Sequence, residues 1–217
     1  MSRGKRIFRS IAKRLAGVVL CKNVLVVRPT EHLVRGFTIE ATSTRDRVYL
    51  WRVVTPLYRP MSSIFLSYSE RIPEREPIYL NRDDYEKSAD EILAIIAGPH
   101  IEYLQKIRRP QDFLRHTSWI VEGSPAFNRI DHALTHCLIG NTRYAIDVLR
   151  AVDREVDQWD AARQEYIQPM VKQLMRQIDE DPAGLTPLLN KWENENVERL
   201  GLQASRIPSD GLRLVVS

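Results

Sequence analysis

The spacing of apolar residues changes character once along the chain. Up to about residue 70 they mostly alternate with polar residues or run continuously. Beyond it they return every three or four positions. Alternation is the signature of a half-buried strand and a three-four rhythm that of an amphipathic helix. The first element departs from this scheme. Ile7, Phe8, Ile11 and Leu15 fall on one face of a helix predicted over residues 5–15, with lysines and arginines on the other.

Four strand-like runs follow, each ended by a turn signal. Val24–Arg28 stops at Pro29-Thr30. Leu33–Thr42 places Phe37, Ile39 and Ala41 opposite Thr38, Glu40 and Thr42, the pattern of a sheet with one wet face. Val48–Thr55 is apolar on both faces, which predicts a central strand with Tyr49, Trp51 and Val53 together in the core. Ser63–Ser69 alternates Ile64, Leu66 and Tyr68 against Phe65, Ser67 and Ser69. The short connections suit hairpins, so the sheet is expected to be antiparallel. Residues 70–82, with two prolines and six charges, read as a loop.

From Asp83 onward the rhythm is helical. Tyr85, Ala89, Ile92 and Ile96 form a stripe that Gly98-Pro99 ends, and Ile101, Leu104 and Ile107 form the next. Pro110 opens a short helical turn. Ser124-Pro125 opens a helix to about Ile139 that Gly140-Asn141 closes. Ala145, Leu149, Val152, Val156 and Trp159 continue, then Ile167, Val171, Leu174 and Ile178 with a kink expected at Pro169. Thr186-Pro187 opens a last helix to Leu200, and Leu212–Val216 is a final apolar patch. The fold class is therefore α+β: an N-terminal helix, a small antiparallel sheet of about four strands, and a helical C-terminal half of packed hairpins. The expected division is residues 1–80 and 81–217, the second packed on the sheet as one compact unit.

In the pair over residues 127–153, Gly140 and Ala145 stand five apart, with Ala151 and Val152 beyond. This resembles the glycine–alanine spacing of a tetratricopeptide repeat. The aromatic positions of that repeat are missing and no period recurs, so the resemblance implies one αα-hairpin and a helical protein-binding surface.

Composition adds few constraints. The 217 residues are 43% hydrophobic and 28% charged, an ordinary globular balance. Cys21 and Cys137 stand alone, without metal-ligand spacing, and read as free thiols of a reducing compartment. The basic start before Leu15–Cys21 resembles a signal peptide, but Leu20 occupies a position that needs a small residue. No apolar run is long enough for a membrane span, and a cytoplasmic protein is expected.

The net charge of +4 hides an asymmetry. Residues 1–60 hold 13 lysines and arginines against 3 carboxylates, and the remainder 19 against 25. Either the basic part docks on the acidic part, or it meets an anionic partner. The nucleic-acid candidates are the basic N-terminal helix together with Arg47, Arg52 and Arg59, with Arg28, Arg35 and Arg45 nearby and Tyr49, Trp51 and Tyr58 interleaved.

The metal candidates are His132 and His136, one helical turn apart and flanked by Asp131 and Cys137, with His100 or His116 as a third ligand. A helical wheel puts both histidines opposite the apolar face, where they look at solvent. Asp153, Asp157 and Asp160 form a carboxylate run that reads as a solvated helix face paired with Arg150, Arg154 and Arg163. No motif for a nucleophile elbow, a phosphate loop, a dinucleotide fold or a zinc protease occurs.

No catalytic residue or cofactor is assigned. The functional expectation is a non-catalytic protein–protein interaction or adaptor module; an immunity- or antitoxin-type inhibitor fits its size. The alternatives are a basic nucleic-acid-associated protein using the N-terminal half and a metal-dependent hydrolase at His132 and His136. Another protein is the first partner expected, with nucleic acid or a second copy as alternatives.

Overall fold

The computed structural model describes residues 3–44, 46–72, 77–81, 84–121, 124–156 and 161–207. The architecture is α+β: an N-terminal helix, an antiparallel sheet and a mostly helical C-terminal half. The chain divides into two compact units. One comprises residues 1–55, 62–108 and 197–217, the other residues 56–61 and 109–196.

In the first unit, α1 (Arg3–Arg14) buries Ile7, Phe8 and Ile11, so its apolar stripe is used inside the unit. Strands β1 (Val18–Cys21), β2 (Val24–Val27), β3 (Leu33–Ala41), β4 (Arg47–Pro56), β5 (Glu70–Arg71) and β6 (Ile78–Tyr79) form one sheet. Its order is β1-β2-β3-β4-β5, with β6 also pairing β4. The pairings of β1 with β2, β2 with β3, and β4 with both β5 and β6 are antiparallel. Helices α2 (Tyr85–Ile96) and α3 (Pro99–Lys106) bury Ala89, Ile92, Ile96 and Leu104.

Three details differ from the sequence expectation. Val18–Cys21 is strand β1, joined to β2 by Lys22-Asn23, with Lys22 in the left-handed region at φ 53°. The segment expected as a strand over 63–69 is irregular. Ile64 and Phe65 are half-buried, Leu66 is exposed, and a turn from Leu66 to the amide of Ser69 breaks the alternation. Inside the expected loop Glu70–Arg71 pairs with β4 opposite Arg52 and Trp51, and Ile78–Tyr79 pairs with it opposite Val48 and Arg47.

Gly36 is fixed by the close approach of β2. A Cβ there would lie 2.3 Å from the carbonyl oxygen of Leu25. Arg35 beside it is buried, donating to the carbonyls of Leu104 (3.1 Å) and Pro29 (2.5 Å).

The second unit holds α4 (Pro110–His116), α5 (Ala126–Leu138), α6 (Thr142–Glu155), α7 (Ala161–Glu180, containing Pro169) and most of α8 (Leu185–Leu200). The α5–α6 hairpin turns at Gly140, whose φ of 86° is the left-handed conformation that glycine adopts freely. The amides of Gly140 and Asn141 return to the carbonyls of Cys137 and His136, which closes α5. Ala133 and Ala145 are fully buried, as the expected hairpin requires.

A buried polar cluster holds residues 57–61 in this unit. Asn196 donates to the carbonyls of Leu57 (2.7 Å) and Arg59 (2.6 Å) and accepts from the amide of Met61 (3.2 Å). The Arg59 guanidinium pairs with Asp131 at 2.5 Å, with side-chain exposures of 2% and 0%, and lies 4.8 Å from the Phe127 ring. Tyr58 bonds the hydroxyl of Thr135, and burial pushes its phenol well above the ordinary value. Cys21 and Cys137 are buried and free. No helix of the described residues is long and apolar enough to cross a membrane.

Candidate functional site

The feature of the second unit best suited to hold another molecule is a groove of about 300 Å³. Arg129 and His132 come from α5; Tyr144, Asp147, Val148 and Ala151 come from α6; Ile120 and Val121 precede α5. The spacing is helical on both sides. Arg129 and His132 are three apart, and Tyr144, Val148 and Ala151 follow at intervals of four and three, so each set lies on one face. Ile120, Val121, Val148 and Ala151 make apolar walls. The amide of Val121 donates to Ser124 Oγ (2.9 Å).

The histidines do not look out at solvent as the wheel implied. Both are half-buried on the α5 face nearest α6. Their rings are 5.0 Å apart, and that of His136 lies 4.4 Å from the Tyr144 ring. Burial lowers the pKa of His132 to about 4, helped by its neighbour His136, and burial also lowers that of His136. Among the described residues His132 has the His136 ring as neighbour and no hydrogen-bond partner, so a neutral imidazole faces the groove with its ring nitrogens available.

Arg129, also buried, forms a bidentate pair with Glu155, with Nη1 donating to Oε1 at 3.0 Å. The bond holds the Glu155 carboxyl below its usual range and neutralises the guanidinium. Asp147 is exposed and without an ion-pair partner among the described residues. At the mouth of the groove, Val121 and Tyr144 are 64% and 42% exposed, and Trp119, two residues before Val121, is 53% exposed. Apolar walls with a few convergent polar groups and an unpaired imidazole can hold an apolar side chain and read one hydrogen bond.

Among the described residues no three His, Cys, Asp or Glu side chains stand close enough together to hold an ion. Asp131 is committed to Arg59, Cys137 is buried near the Thr186 hydroxyl, His100 belongs to the first unit, and His116 ends α4. Of the carboxylate run, Asp157 and Asp160 lie outside the described residues, as do Trp159, Arg45 and the Leu212–Val216 patch. Arg150 pairs with Asp179 of α7 at 3.6 Å.

The three nucleic-acid candidates do not share one surface. Arg59 is inside the second unit, as described. Arg52, in the first unit, pairs with Glu70, lies 3.4 Å from His100 Nδ1 and stacks 3.7 Å above the Tyr103 ring. Burial, then the Arg52 charge, lowers the pKa of His100. Arg47 stacks 4.4 Å above the ring of Tyr79, its partner in register on β6.

The core expected from Tyr49 and Trp51 is replaced by a half-exposed face. Arg71 lies 4.0 Å above the Tyr49 ring and 4.9 Å above that of Trp51, whose indole N–H donates to Glu40 at 2.8 Å. Further along the same side Val53 is fully buried, and on the other side of β4 Val48 and Leu50 are buried as well. Comparison with protein families, with curated proteins and with solved structures found no match for this chain.

Proposed function

We propose that this protein is a non-catalytic binding module whose helical unit seats an apolar side chain of a partner protein in the groove between α5 and α6. The observation that carries the reading is the clustering of exposed Val121 and Tyr144 at the mouth of a groove with apolar walls. Scattered exposed hydrophobics are ordinary, but a group around a concavity marks an interaction site. The lining offers shape, apolar area and one readable hydrogen bond.

Charge suggests the partner's chemistry. The second unit carries 14 carboxylates against 11 lysines and arginines, and Asp147 at the groove has no ion-pair partner among the described residues. A segment with an aromatic or aliphatic anchor flanked by lysine or arginine complements both features. Selection from a random peptide display library tests this without assuming a sequence. Enriched peptides should carry such an anchor with basic neighbours, and Ala151→Phe, which fills the groove, should abolish their binding. Enriched peptides indifferent to Ala151→Phe would overturn the reading.

A second reading, a nucleic-acid-associated protein, is favoured by the β4–β5–β6 face. There Arg47, Arg71, Tyr49, Trp51 and Tyr79 alternate cations and rings, on a unit with 21 lysines and arginines against 14 carboxylates. Such a face can stack bases. It ranks second because the arginines already cover the rings that bases would use. Binding of single-stranded oligonucleotides should therefore stay near 10⁻⁴–10⁻⁶ M, roughly the non-specific range, and fall steeply with salt. Submicromolar affinity lost on Arg47→Ala with Arg71→Ala would promote this reading.

A further inference from the structure

We propose that the exposed side of α1 is a cradle for a small phosphate-bearing anion, with Arg6, Arg9 and Lys13 supplying the positive charge. This rests on residues of the first unit and is independent of the groove in the second.

The cations of α1 are not equivalent. Arg14 is neutralised by Asp90 at 2.5 Å, and Arg3 lies 4.0 Å from Asp46. Arg6, Arg9 and Lys13 are exposed and have no ion-pair or hydrogen-bond partner among the described residues. Spaced by three and four, they stand along one edge of the helix, where like charges repel unless an anion bridges them.

They also border a concavity. Together with Ser10, Tyr85 and Glu86 they line a cavity of about 290 Å³, closed on the far side by the first turn of α2. Among the described residues Glu86 is the one carboxylate in the lining, and it is held by the hydroxyl of Ser10. Three cations therefore face one carboxylate among the described residues. Two guanidiniums can each bind a phosphate bidentately, and the lysine adds a mobile point charge.

The size suits a small ligand, because the volume is at the lower end of ligand pockets and holds a phosphate or pyrophosphate group with little beside it. Insertion into a lipid bilayer is disfavoured, because Ile7, Phe8 and Ile11 are spent inside the unit and α1 has no second apolar stripe. The source of the phosphate, a soluble molecule or a lipid headgroup, is left to experiment.

Calorimetric titration of the full chain with inorganic pyrophosphate, at about 150 mM salt so that surface charges are screened, is the test. One saturable site is expected. Replacing the three cations together (Arg6→Gln, Arg9→Gln, Lys13→Gln) should weaken it at least about tenfold. Arg143→Gln with Lys172→Gln and Arg176→Gln removes the same charge from the second unit and should leave affinity unchanged. Arg9→Gln alone should give an intermediate loss, which guards against a triple variant that misfolds.

A vesicle arm separates the sources. Phosphatidylcholine vesicles doped with a lipid carrying a phosphomonoester headgroup that bind the protein, and release it to pyrophosphate, assign a lipid-borne phosphate. Pyrophosphate binding without vesicle binding assigns a soluble one. No saturable pyrophosphate binding, equal weakening by both triple variants, or vesicle binding that pyrophosphate cannot displace would overturn the proposal.

Discussion

Replacing Asp131 by alanine should destabilise the helical unit more than any single change at its surface. Asp131 has no exposed area, Arg59 has 2%, and their atoms meet at 2.5 Å. The perturbation removes the carboxylate and leaves a guanidinium inside the unit. Stripping one partner from a buried pair costs about 3–5 kcal/mol, because the remaining charge stays desolvated after losing a close counter-charge. In a chain of this size 1 kcal/mol moves the midpoint by roughly 2–4 °C, so thermal unfolding should shift down by about 6–20 °C. Chemical denaturation followed by circular dichroism gives the free energy directly. The double replacement Arg59→Met with Asp131→Leu should recover most of the loss, to within about 1 kcal/mol, since apolar residues of similar volume substitute for such pairs. The difference between the double variant and the two single ones isolates the coupling. A loss below about 1 kcal/mol for Asp131→Ala is the value of a solvated surface pair, and would refute the placement of Arg59 in the interior.

Three further changes probe other parts of the fold. Trp51→Ala should cost about 1–2 kcal/mol in denaturant unfolding, because the ring is half-exposed under Arg71; a loss of about 3–5 kcal/mol would mean a true core position. Gly36→Ala should destabilise by more than about 2 kcal/mol, since its Cβ would meet the Leu25 carbonyl oxygen at 2.3 Å and backbone must move; an unchanged midpoint would contradict the β2–β3 register. His132 should titrate near pH 4 by NMR, and because its folded pKa lies below the ordinary 6.5, the unfolded chain takes up protons first. Its contribution is therefore complete above about pH 6.5 and is lost as the pH falls toward 4, a step that His132→Leu should shrink; a midpoint near 6.5 would show an open, solvated ring.

Where a single element carries its own pattern, the sequence is informative. The α1 stripe of Ile7, Phe8 and Ile11 needs no knowledge of the rest of the chain, and Gly140 marks the α5–α6 turn because only its left-handed backbone is easily adopted there. Strands that borrow their order from a partner are harder to read. Glu70–Arg71 and Ile78–Tyr79 are two residues long and exist through the ladder of β4, so no local periodicity announces them. The alternation of Ile64, Leu66 and Tyr68 looks like a strand, yet Pro56 and Pro60 upstream and the turn at Leu66 interrupt it before it can pair.

Alternation along β4 also does not say which face is covered. Tyr49 and Trp51 look like core until Arg71 and Tyr79 arrive on the same side from later in the chain. The groove was the least legible part. His132 could be singled out by its spacing to His136, but Tyr144, Val148 and Ala151 face it only because the hairpin folds back. Arg59 and Asp131 stand 72 positions apart, and nothing near either names the other.

The binding reading is tested most directly by mapping a bound ligand on the protein itself. Backbone amide NMR shifts would be recorded while a peptide recovered by display selection, with one aromatic anchor and basic flanks, is titrated into the labelled chain. Shift changes confined to Val121, Arg129, His132, Tyr144, Asp147, Val148 and Ala151, and absent in Ala151→Phe, are the predicted result. Shifts elsewhere on the chain with these residues silent, or the same shifts in the filled variant, would contradict it.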